Sequence, residues 1–289
     1  MRASLCKLGL GAAQFPTGVA TRGRPPEAEV RDMLNCVVRA DLGFLDAGGC
    51  SGAAEAMVGA HLPRPATVGV LVKSVRGDRG PDHVEAEARA SMMRLKLTKA
   101  RAIVVQSASD LFAPSGAALW DRLKTLRDEG LFDQIGVCAY ASDDPVGIAR
   151  RFRPDIIQAP ASLLDQRLLL DGSLMAVRDF GVEVHLRSIF LNGLLFLPPD
   201  RVPAQLKGAA GRLSRARRMI AEGRSDPLQA ALGFALSRPE ADAVIVGASS
   251  AAELSAIIAA AASPPPDLDW DEMALDEPMA LDAHRWAAA

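Results

Sequence analysis

The chain has 289 residues, a formal charge of −2, 49% hydrophobic and 24% charged residues, the composition of a globular protein with enough chain to bury a large core. Near-balanced charge, with no basic run carrying interleaved aromatics, speaks against a nucleic-acid partner, and no apolar run reaches the length of a membrane-spanning helix. Residues 1–11 hold neither an apolar signal core nor a small-residue cleavage site, so a cytoplasmic protein acting on a small molecule is expected, with no membrane partner and an oligomeric state the sequence does not fix.

In chain order, short apolar runs alternate with amphipathic stretches of helical length. Strands are predicted at 8–12, 44–47, 68–73, 102–106, 135–138, 156–158, 182–188 and 243–246. Helices are predicted between them at 26–40, 52–61, 82–95, 115–129, 145–152, 172–180 and 227–237, with a last one from about Ser250. This alternation implies parallel strands with helical crossovers, and eight strands suggest a closed (β/α)8 TIM barrel. The rival, an open doubly wound sheet, lacks a GxGxxG opening any helix.

Two stretches break the rhythm. Residues 195–223, rich in Pro, Arg and Ala, predict an extra loop and helix over the barrel top. The sequence then reads as one barrel domain over 1–263 and an appended tail over 264–289 that packs across the barrel or frays. The Ala-rich run at 256–262 is helical by propensity. Cys6, Cys36, Cys50 and Cys138 are scattered without a CxxC pair, which argues against a zinc site and a disulfide framework, and no metal is expected. There is a single tyrosine, Tyr140.

In such a barrel, function sits where strands end and loops begin. That filter selects residues 11–14, Asp46, Lys73, Gln106, Cys138, Gln158, Arg187, Ser188 and Gly247. Asp46 and Lys73 end neighbouring strands, where a carboxylate stabilises an ammonium that can polarise a hydroxyl. The plainer reading is a helix-capping Asp and a Lys reaching solvent. Gly247-Ala248-Ser249-Ser250 leads from strand to helix, a corner suited to phosphate or to ordinary serine capping. Arg187 could pair with a phosphate, stack on a ring or form a surface ion pair. Gln158 could hold a carboxamide ring or be satisfied inside the mouth.

These residues carry a resemblance. Lys7-Leu8-Gly9-Leu10-Gly11-Ala12-Ala13-Gln14-Phe15, Gly43-Phe44-Leu45-Asp46-Ala47 and Ile135-Gly136-Val137-Cys138 resemble strands one, two and five of the aldo/keto reductases. Gln158-Ala159-Pro160-Ala161-Ser162-Leu163-Leu164-Asp165 is similar to that family's Gln-x-Pro-Tyr-Asn-Leu-Leu-Asp segment. Arg187-Ser188-Ile189-Phe190-Leu191-Asn192-Gly193-Leu194-Leu195 and Ala243-Val244-Ile245-Val246-Gly247 complete an ordered set from about Lys7 to Ala261.

The resemblance implies a (β/α)8 barrel that binds NADPH across its top and reduces carbonyls with an Asp, Tyr, Lys and His set. Asp46 and Lys73 fill two of those positions. Ser51 stands where the proton-donating Tyr belongs, and Gln106 where the substrate-orienting His does. Loss of a positioned acid removes about 10²–10⁴-fold in rate, so generic aldehydes are expected to react slowly. The cofactor positions are better kept. Ala12 and Ala13 match a floor near the nicotinamide, Asp46 borders it, and Gln158 matches the carboxamide-binding glutamine. Cys138-Ala139 replaces the family's Ser-Asn at a further carboxamide position, and Arg187 replaces a ring-stacking Tyr. Ser188, Phe190, Asn192 and Gly193 align with the pyrophosphate loop. Gly247, Ser249 and Glu253 align with the adenosine end, beside Val246. The resemblance implies NADP, with NAD possible because Glu253 suits a 2′-phosphate poorly. The alternative function is a catalytically inactive nucleotide-binding or interaction module on the same barrel.

Overall fold

The computed structural model describes residues 2–16, 24–48, 52–65, 67–198 and 201–282. Eight parallel strands close a barrel in sequential order: β1 (Leu8–Gly11), β2 (Phe44–Asp46), β3 (Gly69–Lys73), β4 (Ala100–Val105), β5 (Phe132–Cys138), β6 (Ile156–Pro160), β7 (Glu183–Arg187) and β8 (Ala243–Gly247). Each predicted strand exists. Their ends shift by a few residues, so that Ala12, Gln106 and Ser188 lie just past their strands.

The helices are α1 (Arg2–Lys7), α2 (Glu27–Arg39), α3 (Ala53–His61), α4 (Pro81–Leu95), α5 (Ser109–Phe112), α6 (Gly116–Asp128), α7 (Pro145–Phe152), α8 (Arg167–Leu170), α9 (Ser173–Asp179), α10 (Ala210–Glu222), α11 (Pro227–Ser237), α12 (Ala251–Ala262) and α13 (Pro278–Leu281). Local chemistry sets several of their starts. Asp144 caps α7 by accepting the Gly147 N–H at 3.0 Å, and Asp226 caps α11 through Leu228 and Gln229. Both helices place Pro at their first position, where its fixed φ helps and its missing N–H costs nothing. The sequence reading missed α1, α5, α8 and α13, which run only four to six residues and carry too little periodicity to detect.

Alternation along the strands sorts side chains into two layers. Leu45, Val70, Val72, Ile103, Val105, Val137 and Ile157 belong to the main core between barrel and helices. Phe44, Leu71, Ala102, Val104, Cys138, Ile156 and Ala243 form a separate cluster inside the barrel. Gly9 is required by this inner layer, since a Cβ there would lie 2.3 Å from the Phe44 ring. Continuing the inner parity two residues upward along the strands leads from Phe44, Leu71, Gly136, Ile156 and His185 to Asp46, Lys73, Cys138, Gln158 and Arg187 at the mouth.

A third cluster lies outside the barrel. Leu191, Leu194 and Leu195 pack with Leu213, Ala216 and Ile220 of α10, and with Met273, Leu275, Ala280 and Leu281 of the C-terminal segment. Leu275 donates its backbone N–H to Leu164, and Arg167 pairs with both Asp165 and Asp282. The described part of the predicted tail is thus bound to the loops that follow β6 and β7.

Candidate active site

The mouth holds a connected charged network. Asp46 Oδ2 lies 3.2 Å from Lys73 Nζ, with both side chains less than a tenth exposed. The same carboxylate accepts the Gly48 N–H at 3.0 Å and the Gln158 amide at 3.1 Å. Lys73 Nζ also donates to Cys138 Sγ at 3.0 Å and to Gln158 Oε1. Asp46 therefore caps no helix and Lys73 does not reach for solvent. Burial is the largest influence on Lys73 and pulls its pKa down, but Asp46 and Cys138 together outweigh it and hold the ammonium above its ordinary range.

Arg187 enters from the far side. Its guanidinium lies 4.3 Å from the centre of the Tyr140 ring and donates to Ser188 Oγ at 3.5 Å and the Ala139 carbonyl at 3.4 Å. Its Nε is buried without a hydrogen-bond partner among the described residues. The ring stacked on Arg187 is the chain's single tyrosine. Gln106 sits half-buried at the rim, its backbone N–H donating to Ser74 Oγ at 3.2 Å. Ser51, the residue at the family's tyrosine position, lies outside the described residues, as does Cys50.

Beside the mouth runs a cleft of about 590 Å³, lined by Gly11, Ala13 and Gln14 after β1, by the loop after β7, and by Val246, Gly247, Ser249 and Glu253 after β8. Ser188, Phe190, Asn192 and Gly193 all line it. Ala12, expected from the sequence beside the cofactor, does not: it is fully buried in the main core, where its N–H donates to the Asp46 carbonyl, and its neighbours Gly11 and Ala13 line the cleft instead. Ala12 continues the outward parity of Leu8 and Leu10, all three of which belong to the main core.

The cleft loop is built under strain. Ser188, Leu191 and Asn192 have φ of 60°, 45° and 51°, each a conformation that costs a non-glycine residue about 1 kcal/mol or more. Gly193, at φ 85°, has no such penalty, and a Cβ there would meet open space. Arg217 of α10 offsets the strain by donating to the Leu194 and Leu195 carbonyls at 3.0 and 3.1 Å.

At the far end, Ser250 caps α12 by accepting the Glu253 N–H at 3.1 Å. Glu253 Oε2 in turn accepts the Ser249 N–H at 2.9 Å and its hydroxyl at 2.7 Å. The capping alternative is therefore realised, and a carboxylate already holds the donors at this corner. Among the described residues no group of three or more His, Cys, Asp or Glu could hold a metal, and no helix is long and apolar enough to cross a membrane.

Comparison with known proteins places this geometry in context. The Aldo/keto reductase family profile matches residues 7–274. The chain is similar in structure to an aldo-keto reductase of Bacillus halodurans in its holo form, at 19% identity over 96% of this chain and 92% of that one, with a TM-score of 0.75. A Pseudomonas aeruginosa chain described as an aldo-keto reductase is similar at 20% identity over 89% of each, with a TM-score of 0.65. No curated protein matches the chain.

Proposed function

Since the chain belongs to the aldo/keto reductase family, we propose that it is an oxidoreductase that binds a nicotinamide dinucleotide in the cleft and interconverts a small carbonyl compound and its alcohol at the mouth. The observation that carries this reading is the shared wall of cleft and mouth. Gly11, which lines the cleft, is paired in register with Asp46 of the charged network on one side and with Gly247 of the cleft on the other.

The residues present fit such a cofactor. The cleft volume falls within the range of small-molecule sites. Gly193 leaves room that a side chain would occupy, and the buried Arg187 Nε is a donor in want of an acceptor. Gln158 and Arg187 would hold the nicotinamide end, with Ser188, Phe190, Asn192 and Gly193 along the pyrophosphate. Ala13 would lie beside the nicotinamide, while Val246, Gly247 and Ser249 would hold the adenosine end.

The bound cofactor supplies the hydride; the rest is the work of this chain. Lys73 and Arg187 bring positive charge to the mouth, where a carbonyl oxygen gains negative charge as it is reduced. Asp46 and Gln158 fix the ammonium in place, so little reorganisation is needed when that charge develops. The resemblance implies NADP, but Glu253 supports NAD, because an added phosphate at this corner meets a carboxylate on the donors it needs.

Titration with NADH and NADPH, followed by calorimetry, tests the reading: saturable binding is expected, and its absence at millimolar concentration overturns it. Binding without turnover of any carbonyl or alcohol would instead favour the inactive module that Ser51 at the tyrosine position suggests.

A further inference from the structure

We propose that Cys138 is the proton donor of the mouth, the role the family gives to a tyrosine; this rests on the oxidoreductase reading above. An ammonium has three N–H donors, and Lys73 has three acceptors around it: Asp46 Oδ2 at 3.2 Å, Cys138 Sγ at 3.0 Å and Gln158 Oε1. Among the described residues these acceptors occupy all three Lys73 donors, which turns attention to the groups that Lys73 touches as the source of a proton. Asp46 is a carboxylate that already accepts from Gly48, Gln158 and Lys73. Gln158 is an amide, with no acidity in the range of enzyme catalysis. Cys138 alone among the three carries a transferable proton.

Its chemistry suits the role. A thiol in water has a pKa of about 8.5 against about 10 for a phenol, so it gives up a proton more readily than the tyrosine it would replace. The thiolate left behind sits 3.0 Å from an ammonium, where it is stabilised as it forms. Cys138 ends β5 with inward parity, is 5% exposed and belongs to the cluster inside the barrel, at its upper end beside Lys73. The groups around the sulfur are Lys73 from β3 and Gln158 from β6, the latter at 3.4 Å. Asp46 on β2 lies beyond Lys73, and Arg187 on β7 acts on Lys73 by charge. Tyr140, the other acid nearby, has its ring engaged by Arg187.

The step balances. The hydride brings two electrons to the carbonyl carbon, the C=O π pair moves to oxygen, and that oxygen takes the Cys138 S–H proton. The products are the alcohol, the oxidised cofactor and a thiolate, which solvent reprotonates before the next cycle. Alcohol oxidation runs the same path in reverse, with the thiolate accepting the proton.

The experiment compares wild type with Cys138→Ser and Cys138→Ala as full chains, using 4-nitrobenzaldehyde and the cofactor that binds. Cofactor binding, single-turnover rate and ultraviolet thiolate absorbance are each followed against pH. Both variants should remain folded and bind cofactor, Cys138→Ala melting lower because Lys73 loses an acceptor, yet both should lose about 10²–10⁴-fold in the reduction step. In wild type the reduction rate should fall with rising pH along the same curve on which the thiolate absorbance grows, and that fall should vanish in both variants. Either variant reducing the aldehyde at the wild-type rate overturns the proposal. So does a wild-type rate that does not follow the thiolate curve, and so does a wild type that binds cofactor without turnover. A wild type that binds neither cofactor overturns the oxidoreductase reading itself, a result distinguishable from the others.

Discussion

Lys73→Met, Asp46→Asn and the double change together measure what holds the mouth. The pair is 3.2 Å apart, with the side chains 9% and 8% exposed, and removing one partner of a buried pair leaves the other charge uncompensated at a cost of about 3–5 kcal/mol. In Lys73→Met the carboxylate keeps the Gly48 N–H and the Gln158 amide, which places the expected loss at the low end, about 3 kcal/mol. In Asp46→Asn the ammonium keeps Cys138 and Gln158 as acceptors, and the expected loss is about 2 kcal/mol. The double variant has no stranded charge, so its loss should be about 2 kcal/mol in total, a coupling of about 3 kcal/mol. Urea unfolding reads these differences directly. In a melt, at about 2–3 °C per kcal/mol for a chain of this size, Lys73→Met should fall by roughly 6–9 °C. Losses that simply add in the double variant would refute the reasoning, because they would mean that neither charge depends on the other.

Two further outcomes follow from the electrostatics. Glu253→Gln removes the carboxylate that holds the Ser249 donors, and calorimetry should show NADPH tightening relative to NADH by about fivefold or more, roughly 1 kcal/mol; an unchanged ratio would refute the charge argument. At the barrel floor, burial above all pulls the pKa of His185 down, while Glu183 is held at about 2, chiefly by its hydrogen bond from His185. Both depressed groups bind more protons unfolded than folded, so melting temperature should decline below about pH 6.5 as the unfolded imidazole protonates, and further from about pH 4.5 towards 2 as Glu183 loses its advantage. His185→Gln should abolish the first decline, and a melt flat from pH 7 to 5 in wild type would contradict the assignment.

The barrel was legible because strand ends, helix caps and family motifs agree along the whole chain. Asp46 with Lys73 was legible too, since consecutive strands of a barrel are neighbours. The contact between Lys73 and Cys138 was not, because β4 separates their strands in the sheet and only the narrow mouth brings the two side chains together. In the sequence Cys138 reads as a strand-end residue and a replaced carboxamide partner; its even spacing from Gly136, which aims it inward, was the available signal of this contact. Arg187 meeting Tyr140 is likewise a cross-strand event with no trace in local sequence. The cluster outside the barrel was missed because Met273, Leu275, Ala280 and Leu281 follow no regular period and gain meaning only against α10.

That outer cluster gives the molecule an order of completion. Pairing of β8 with β1 closes the barrel once Gly247 is in place. Yet Leu191, Leu194 and Leu195, behind the strained wall of the cleft, share their apolar contacts with residues up to Leu281. Synthesis from the N-terminus therefore supplies all eight strands before Met273, Leu275, Ala280 and Leu281, the last apolar partners of the cleft wall, which add to the hold that Arg217 already has on it. A chain ended at residue 263 would keep all eight strands and the α10 side of that cluster while losing Met273, Leu275, Ala280 and Leu281 from it.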